Sequence, residues 1–256
     1  MVKPAAEYLK SVDRSSLGSR TVVIVGGTSG MGAKVAELLS EYGVGRIIII
    51  GRNAQRGAAT VENIRHRAPA GGEVRAEYIR GDVSDIQGMK TTADAIGEAV
   101  GNQGIDYLVM TQNGVPTGLI QSNADGMDPA FAIQVTLNDL SLDDLSLHGE
   151  KYQKMWHARL FGQQSARDSC VLDAFHEEFR LRYKQFEFSH VWPGLVKTPD
   201  FTLGAFPLLL LNPAAKADAD DAMCYAYTLK PSAIGAWASD PENREKLWEW
   251  LIDRAA

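Results

Sequence analysis

The sequence is poor in the residues that mark disulfide, metal and membrane proteins. Its two cysteines, Cys170 and Cys224, form neither a disulfide framework nor a metal-ligand spacing and are expected to be buried thiols. The five histidines form no HxxxH or HxH pair, so we expect no metal site. No apolar run approaches the roughly 20 residues of a membrane span, and residues 1–20 lack the apolar core of a signal peptide. We therefore expect a soluble, cytoplasmic protein without a membrane partner.

Positive charge is also in short supply. The chain carries 26 Lys and Arg against 32 Asp and Glu, for a net charge of −6, whereas nucleic-acid surfaces depend on clustered basic residues. A nucleic-acid partner is therefore not expected. With 256 residues, of which 45% are hydrophobic, the chain is long enough to bury a complete core. We expect one α/β domain over residues 1–256, on which residues 1–20 pack as an N-terminal arm.

The most informative stretch runs from Thr21 to Tyr42. Residues 21–25 are an uninterrupted β-branched run, as expected of a strand that is buried on both faces of a parallel sheet. Glycines follow at once in residues 26–32, and the period then becomes helical until Gly43, which is placed to end the helix. The apolar side of this helix is formed by Met31, Val35, Leu38 and Leu39.

A strand, a glycine turn and a helix in this order suit a pyrophosphate. Glycine allows a close backbone approach, and the helix N-terminus offers unpaired N–H groups and the positive end of a dipole. Such a turn is in other proteins only a loop, but its place between strand and helix favours dinucleotide binding. The spacing Gly26-x-x-x-Gly30-x-Gly32 resembles the TGxxxGxG turn of the short-chain dehydrogenase/reductases (SDRs). The candidate cofactor contacts are Gly26, Thr28, Ser29, Gly30, Met31 and Gly32.

A second apolar strand, residues 46–50, is followed after one glycine by Arg52 and Asn53. At this place an acidic side chain would bind the ribose hydroxyls of NAD, whereas a basic one would pair with the 2′-phosphate of NADP. Arg52 stands here, with Arg56 one helical turn later. NADP(H) is therefore the expected cofactor, with Arg52 and Asn53 as candidate contacts. Alternatively, both arginines are solvated residues at the start of a helix over residues 54–67.

A third strand is expected over residues 73–80, followed by a helix over residues 86–100. Asp82 and Val83 come between them and resemble the SDR position that touches the adenine ring. Asp82 can equally be an N-cap of the helix.

A fourth strand is expected over residues 105–110. After it, Asn113 and Gly114 stand where the SDR family has its NNAG turn, which lines the cofactor. This chain keeps the glycine of that turn and little else, and both residues are candidate cofactor contacts.

A second signature lies in the C-terminal half of the chain. A strand expected from Phe186 onwards ends in Pro193, Gly194, Val196 and Thr198, which resemble the PGxxxT turn of the SDRs. In the family the backbone of this turn meets the nicotinamide carboxamide and its Thr meets the phosphates. The resemblance implies a Rossmann-type, doubly wound parallel sheet that binds NADP(H) at its carboxyl edge.

The catalytic residues of the family are missing. SDRs use a Tyr that donates or accepts a proton, a Lys one helical turn later and a Ser on the preceding strand. The family's usual distance before Pro193 places the Tyr within residues 159–163, which read Arg-Leu-Phe-Gly-Gln in an expected helix over residues 154–182. The nearest tyrosine, Tyr152, lies too far from Pro193, and Trp156 stands one turn after it instead of a Lys.

The family pattern also breaks down over residues 115–160. Residues 127–138 are too short for both the long helix and the fifth strand of an SDR, so we interpret residues 131–137 as the strand and the helix as truncated or lost. Because that helix usually forms the SDR dimer interface, the sequence leaves both a homodimer and its loss as alternatives. Residues 139–147 are expected to form a loop over the site. Residues 199–217 resemble the apolar substrate flap of the family and can alternatively form a buried helix.

Three functions remain. In the first, the protein transfers hydride from NADPH to a carbonyl or iminium intermediate; an iminium ion needs no phenol to protonate it, and Asp168 supplies nearby negative charge. In the second, NADP is structural and the pocket catalyses isomerisation or cyclisation, with Arg159 and Asp168 as acid/base groups. In the third, the chain is an NADP-binding module without turnover. Arg159 and Asp168 can equally be ions on a helix surface.

The missing tetrad, together with the family motifs, resembles degenerate fungal SDRs of secondary metabolism, including the reductase/Diels–Alderases of indole alkaloid pathways. Residues 244–250 also resemble the tails of a fungal branch of the family. An apolar or aromatic small molecule is the expected substrate. Trp156 and Trp192 are candidates for stacking on it, with core packing as the alternative for each.

Overall fold

The computed structural model describes residues 14–112, 119, 122–125, 150–155, 157–189 and 236–255, and for residues 151, 157–169, 236, 254 and 255 it describes the backbone only. The chain divides into two compact units. The described part of the first unit is residues 14–81 and 93–112, and that of the second falls within residues 82–92, 119–125, 150–189 and 236–255. The expectation of one domain over residues 1–256 stays a prediction.

The first unit is built on a parallel sheet. Its strands are β1 (Thr21–Val25), β2 (Arg46–Gly51), β3 (Arg75–Arg80) and β4 (Tyr107–Met110), in the order β3-β2-β1-β4. The last residue of β1, Val25, pairs with Ile50 on one side and Met110 on the other, so these strands end at one carboxyl edge. The predicted Rossmann-type parallel sheet is confirmed, although β3 and β4 each begin two residues later than predicted.

Helices follow β1, β2 and β3 along the chain: α1 (Gly30–Glu41), α2 (Ala54–Arg67) and α3 (Ile86–Val100), the last of which contributes to both units. The predicted bounds of α2 and α3 are confirmed. Because β1 and β2 are buried on both faces, their β-branched runs supply most of the core. One core cluster of this unit consists of Val22, Ile24, Ala36, Val44, Ile47, Ile49, Val61, Ile64 and Ala76.

The buried face of α1 differs from the apolar side seen in the sequence. The helix is confirmed, but Leu38 is 40% exposed, and Val35 and Leu39 are only partly buried. Val35 and Leu39 pack against the core cluster, whereas the buried Glu37 and Ser40 face α2, where they bond Asn63 and the carbonyl of Ile64. The buried residues of α1 are Gly32, Ala33, Ala36, Glu37 and Ser40.

Polar groups at the amino edge of this sheet pair within the protein. The guanidinium of Arg46 is buried and donates to Glu77 at 2.7 Å and to the carbonyl of Ala99 at 2.7 Å. Asp106 accepts the N–H of Thr21 at 2.8 Å and a hydrogen bond from Arg20 at 2.7 Å. Both hydrogen bonds lower the pKa of the Asp106 carboxyl, and the bond from the Thr21 N–H has the larger effect. The Arg46–Glu77 and Arg20–Asp106 ion pairs therefore lie at this edge of the sheet.

The second unit contains the helices α4 (Glu150–Gln153), α5 (His157–Arg182), α6 (Ala236–Ser239) and α7 (Pro241–Ala255). Its core cluster consists of Cys170, Val171, Ala174, Ala238 and Leu247. Burial raises the pKa of the Cys170 thiol to about 11, so this thiol stays protonated and unreactive near neutral pH. The prediction of a buried thiol is confirmed for Cys170, while Cys224 lies outside the described residues.

The strand predicted from Phe186 onwards is wrong for residues 186–189, which form no strand. Phe186 donates its N–H to the carbonyl of Tyr183 at 3.0 Å and is 56% exposed. A turn therefore follows α5 before any extended chain begins. At the other end of the protein, residues 14–20 contain only a short 3-10 turn, Leu17–Ser19, of the predicted N-terminal arm.

Candidate functional site

The glycine turn after β1 is fixed by the neighbouring strands. The N–H groups of Gly26 and Gly27 both donate to the carbonyl of Ile50, at 3.0 and 3.1 Å. Gly26 has a φ of +84°, a conformation that favours glycine. A Cβ on Gly26 would lie 2.5 Å from the backbone nitrogen of Gln112, which follows β4. The backbones of β1, β2 and β4 thus meet at a point that only glycine can occupy.

The first turn of α1 is pressed against this turn. A Cβ on Gly32 would lie 2.4 Å from the hydroxyl oxygen of Thr111 and 2.5 Å from the carbonyl oxygen of Gly26. Thr111 is itself held at the end of β4, because its N–H and its hydroxyl both donate to the carbonyl of Val25, at 2.8 and 3.1 Å. The start of α1 therefore stands directly on the carboxyl edge of the sheet.

The N-terminus of α1 has no side-chain cap. Its N-cap residue, Ser29, is extended (φ −161°, ψ 172°), and the Ser29 hydroxyl makes no capping hydrogen bond. The first backbone bond of the helix runs from the N–H of Ala33 to the carbonyl of Ser29 at 3.2 Å. The N–H groups of residues 30–32 consequently have no acceptor within the helix. A helix start of this kind, with its dipole, suits an anion such as a phosphate.

The helix starts after β2 and β3 are capped by side chains. In α2, Asn53 accepts the N–H of Arg56 at 2.9 Å. In α3, Asp85 accepts the N–H of Gly88 at 2.7 Å, and Asp125 accepts the N–H of Ile86 at 2.9 Å. Among these three helix starts, that of α1 is the one without such a cap.

The alternative reading of Asp82 as an N-cap is wrong. Its carboxylate accepts the N–H of Ser84 at 3.1 Å and so closes a local turn, because α3 begins too late for Asp82 to reach its first N–H groups. Asp85 caps the helix instead. The role of Asp82 and Val83 beside the adenine ring stays a prediction.

Arg52 stands at the end of a turn that is joined to the glycine turn. Gly51, the residue before it, lies on the side chain of Thr28, since a Cβ on Gly51 would be 2.5 Å from the Thr28 hydroxyl oxygen. Thr60 on α2 donates to the carbonyl of Thr28 at 3.5 Å, a long and therefore weak hydrogen bond. Arg52 itself is exposed. An exposed arginine at this position has the charge that a 2′-phosphate partner requires.

The sheet and the glycine turn match a known family model. Residues 20–131, which include the sheet, the glycine turn and Arg52, match the family model of the short chain dehydrogenases. This part of the chain is similar to the short-chain dehydrogenase/reductases (SDRs). No curated protein matches the sequence.

Three solved structures resemble this chain at low sequence identity. The reductase/Diels–Alderase MalC from Malbranchea aurantiaca is 17% identical over 73% of this chain and 76% of that protein, with a TM-score of 0.51. A short-chain type dehydrogenase/reductase from Mycobacterium ulcerans is 18% identical over 65% of this chain, with a TM-score of 0.44, and levodione reductase is 23% identical over 46%, with a TM-score of 0.36. The chain spans less than two thirds of the last two proteins, 63% and 44%.

The candidate site also contains an acceptor that the sequence did not single out. The amide oxygen of Gln112 is buried without a hydrogen-bond partner among the described residues. Such an orphaned acceptor costs stability unless a donor arrives. Gln112 follows Thr111 at the position of the family's NNAG turn, which was the available signal. The uncapped helix start, the glycine turn and this acceptor fit a dinucleotide with phosphates and hydroxyl or amide donors.

The candidate catalytic positions lie on α5, whose backbone confirms the predicted helix but begins at His157 rather than residue 154. Arg159 and Asp168 are nine residues apart in the sequence, so their Cα atoms lie on opposite sides of the helix axis. The side chains of both lie outside the described residues, and their roles stay predictions. Tyr152 belongs to the separate helix α4, where it is buried and packs against Met155.

Several other predictions fall outside the described residues. These are the cofactor contacts Asn113, Gly114, Pro193, Gly194, Val196 and Thr198, the aromatic candidates Trp156 and Trp192, the fifth strand over residues 131–137, the loop over residues 139–147 and the substrate flap over residues 199–217. Among the described residues, no helix combines the length and the hydropathy that a membrane span requires. Within the same residues, no group of His, Cys, Asp and Glu side chains could hold a metal ion.

Proposed function

We propose that this chain is an SDR-type, NADP(H)-dependent oxidoreductase that transfers hydride to an iminium or carbonyl intermediate without the usual Tyr and Lys. The observation that carries the proposal is the start of α1: it has no side-chain cap, and Gly26 and Gly32 bring it onto the carboxyl edge of the sheet. SDRs bind nicotinamide cofactors at this place, and the matched residues 20–131 contain it.

Each part of the described site has a function in holding the cofactor. The N–H groups of residues 30–32, which have no acceptor within the helix, bind the pyrophosphate at the positive end of the helix dipole. Arg52 pairs with the 2′-phosphate, which NAD(H) lacks. The buried amide oxygen of Gln112 accepts a hydrogen bond from a cofactor donor. When bound, NADPH supplies the hydride.

The missing proton donor decides the substrate class. The positions expected for the catalytic Tyr, residues 159–163, contain no Tyr, so a ketone oxygen would receive no proton from the family's usual group. An iminium carbon needs none, because its positive charge is neutralised by the hydride itself. Asp168 on α5 is proposed to stabilise this charge before transfer. We expect a small, apolar or aromatic substrate of secondary metabolism.

A second candidate function is a non-redox cyclisation with bound NADP. The same absence of the Tyr favours it, and MalC, with which this chain shares its fold, is named a reductase/Diels–Alderase. In this case the cofactor would be retained unchanged while Arg159 and Asp168 act as acid/base groups. The two candidates differ in whether NADPH is oxidised during turnover.

The first experiment is a calorimetric titration of the purified chain with NADPH and NADH. We expect NADPH to bind more tightly, and Arg52→Ala to lower its affinity about tenfold while it leaves NADH unchanged, since one charge-assisted pair contributes about 1.5–3 kcal/mol. Arg52→Lys is the matched control, because it keeps the charge and should keep part of the preference. Failure to bind either nucleotide would contradict the proposal.

The second experiment tests the chemistry. A dihydroisoquinolinium ion is offered with NADPH, and a ketone of similar size serves as the control substrate. We expect the nicotinamide absorbance to fall with the iminium ion and to stay constant with the ketone. Turnover of the ketone at the same rate would contradict the assignment to iminium ions. Isomerised or cyclised product from a suitable diene without loss of NADPH absorbance would favour the second candidate.

A further inference from the structure

One side chain on β3 holds the chain immediately before Arg52. Tyr78 lies opposite Ile49 of β2 and packs partly buried against the core. Its hydroxyl donates to the carbonyl oxygen of Gly51 at 2.9 Å. Because Gly51 directly precedes Arg52, this bond fixes the backbone from which the arginine side chain projects.

The ring of Tyr78 contacts the other end of the same turn. A Cβ on Gly57 would lie 2.4 Å from Cδ2 of the Tyr78 ring, so α2 rests directly on the ring at a glycine. The N–H of Gly57 donates to the carbonyl of Asn53 at 2.9 Å and closes the first turn of the helix. Tyr78 therefore contacts residues on both sides of Arg52 and Asn53.

We propose that Tyr78 is a positioning residue that sets the preference for NADP(H) over NAD(H) through Arg52. The inference rests on the proposed function, in which Arg52 pairs with the 2′-phosphate. An exposed arginine loses side-chain entropy when it binds a phosphate. If the backbone on both sides of it is already fixed, no further backbone entropy is lost on binding. NAD(H) has no phosphate at this place, so its affinity does not depend on how firmly Arg52 is held.

The hydroxyl can be removed without leaving a buried acceptor unpaired. The carbonyl oxygen of Gly51 also accepts the N–H of Gly81 at 3.1 Å, within the β2–β3 ladder. Tyr78→Phe keeps the ring on which Gly57 rests. We therefore expect this variant to fold and to lose only the hydrogen bond that holds the Arg52 turn.

The test is a double-mutant cycle of Tyr78→Phe and Arg52→Ala, with the dissociation constants of NADPH and NADH measured by calorimetry. Tyr78→Phe is expected to lower the affinity for NADPH about fivefold and that for NADH less than about twofold. In the Arg52→Ala background, Tyr78→Phe is expected to leave NADPH binding unchanged, because the residue through which it acts is absent.

Ser40→Ala is the matched control for a merely structural effect. The Ser40 hydroxyl donates to the carbonyl of Ile64 at 2.6 Å, so this variant also removes one side-chain bond to a backbone carbonyl in the same unit. Its loss of stability, measured by urea unfolding, is expected to be at least as large as that of Tyr78→Phe, because Ser40 is fully buried. Its ratio of NADPH to NADH affinity should equal that of the wild type.

The results separate the two proposals. If Tyr78→Phe changes both affinities equally, changes neither, or has the same effect on NADPH with and without Arg52, the positioning role is wrong while the binding of NADP(H) stands. If Arg52→Ala leaves the preference for NADPH unchanged, the assignment of Arg52 to the 2′-phosphate fails, and the role of Tyr78 fails with it.

Discussion

The starts of α1 and α3 both follow parallel strands, but only the start of α3 is capped by side chains. At α3, the carboxylates of Asp85 and Asp125 accept N–H groups of the first turn. At α1, the hydroxyl of Ser29 makes no such bond, and the first N–H groups have no acceptor within the helix. A capped start has acceptors for its N–H groups, whereas an uncapped one leaves them available to an anion. In the proposed function, the start of α1 therefore has less local stability and binds the cofactor phosphates.

Glycine serves a different purpose at the two starts. Gly88 of α3 lets the chain pass close to the carbonyl oxygen of Asp82, which would lie 2.2 Å from a Cβ, so its role is local. Gly26 and Gly32 of the α1 start instead approach residues that follow β4, Gln112 and Thr111. The first arrangement forms a local turn. The second brings the chain after β1 against the ends of β2 and β4.

Among the substitutions that test this difference between α1 and α3, Gly32→Ala is expected to have the largest effect on stability and NADPH affinity. The new Cβ would meet Thr111 and the carbonyl of Gly26, so α1 must move off the sheet, at a cost of about 2–3 kcal/mol in the free energy of unfolding. NADPH affinity should fall at least about tenfold. Urea unfolding and calorimetry measure the two quantities.

Gly97→Ala is the control for this substitution. Gly97 lies within α3, and a Cβ there meets nothing within 4 Å, so this variant should gain about 0.5–1 kcal/mol from helix propensity. If Gly32→Ala were as stable as Gly97→Ala and bound NADPH normally, the close packing of the α1 start would have no role in binding.

Ser29→Asp would convert the start of α1 into one like that of α3. A carboxylate at this extended N-cap position should bond the free N–H groups and raise the free energy of unfolding by about 1 kcal/mol. It should also repel the pyrophosphate and lower NADPH affinity about tenfold or more. Thermal unfolding without nucleotide and calorimetry with it should therefore change in opposite directions. An unchanged affinity would place the phosphates elsewhere.

Asp85→Ala would remove the cap of α3. We expect a loss of about 1 kcal/mol in the free energy of unfolding, because the N–H of Gly88 loses its acceptor, and no change in NADPH affinity. Asp85→Asn should retain most of the stability, since an amide oxygen also caps. A drop in affinity as large as that of Ser29→Asp would show that α3 belongs to the binding site.

Ser29→Ala should have the smallest effect. The Ser29 hydroxyl makes no capping bond, so its removal should change the free energy of unfolding by less than about 0.5 kcal/mol. NADPH affinity should change by less than about threefold, provided that the backbone N–H groups carry the binding. A loss of 1 kcal/mol in the protein without nucleotide would mean that Ser29 caps α1 in solution.

The strands and helices of the first unit could be predicted closely because their signals are local. Uninterrupted runs such as residues 46–50 suit a strand buried on both faces, and a change of period marks each following helix. The buried face of α1 could not be predicted in this way. Leu38 looked like a core residue but is 40% exposed, whereas Glu37 and Ser40 are buried and bond Asn63 and the carbonyl of Ile64 on α2. The packing of α1 against α2 decided that face.

The sequence by itself determined the order of strands and helices, the glycine turn between β1 and α1, and the absence of a Tyr at the expected catalytic position. These follow from side-chain shape, backbone freedom and residue identity along a short stretch of chain. Only the tertiary structure decided that Gly26 meets Gln112, that Gly51 rests on Thr28, and that Tyr78 holds the Arg52 turn. Residues so far apart in the sequence come into contact only when the strands pair, and no local pattern records which side chains then meet.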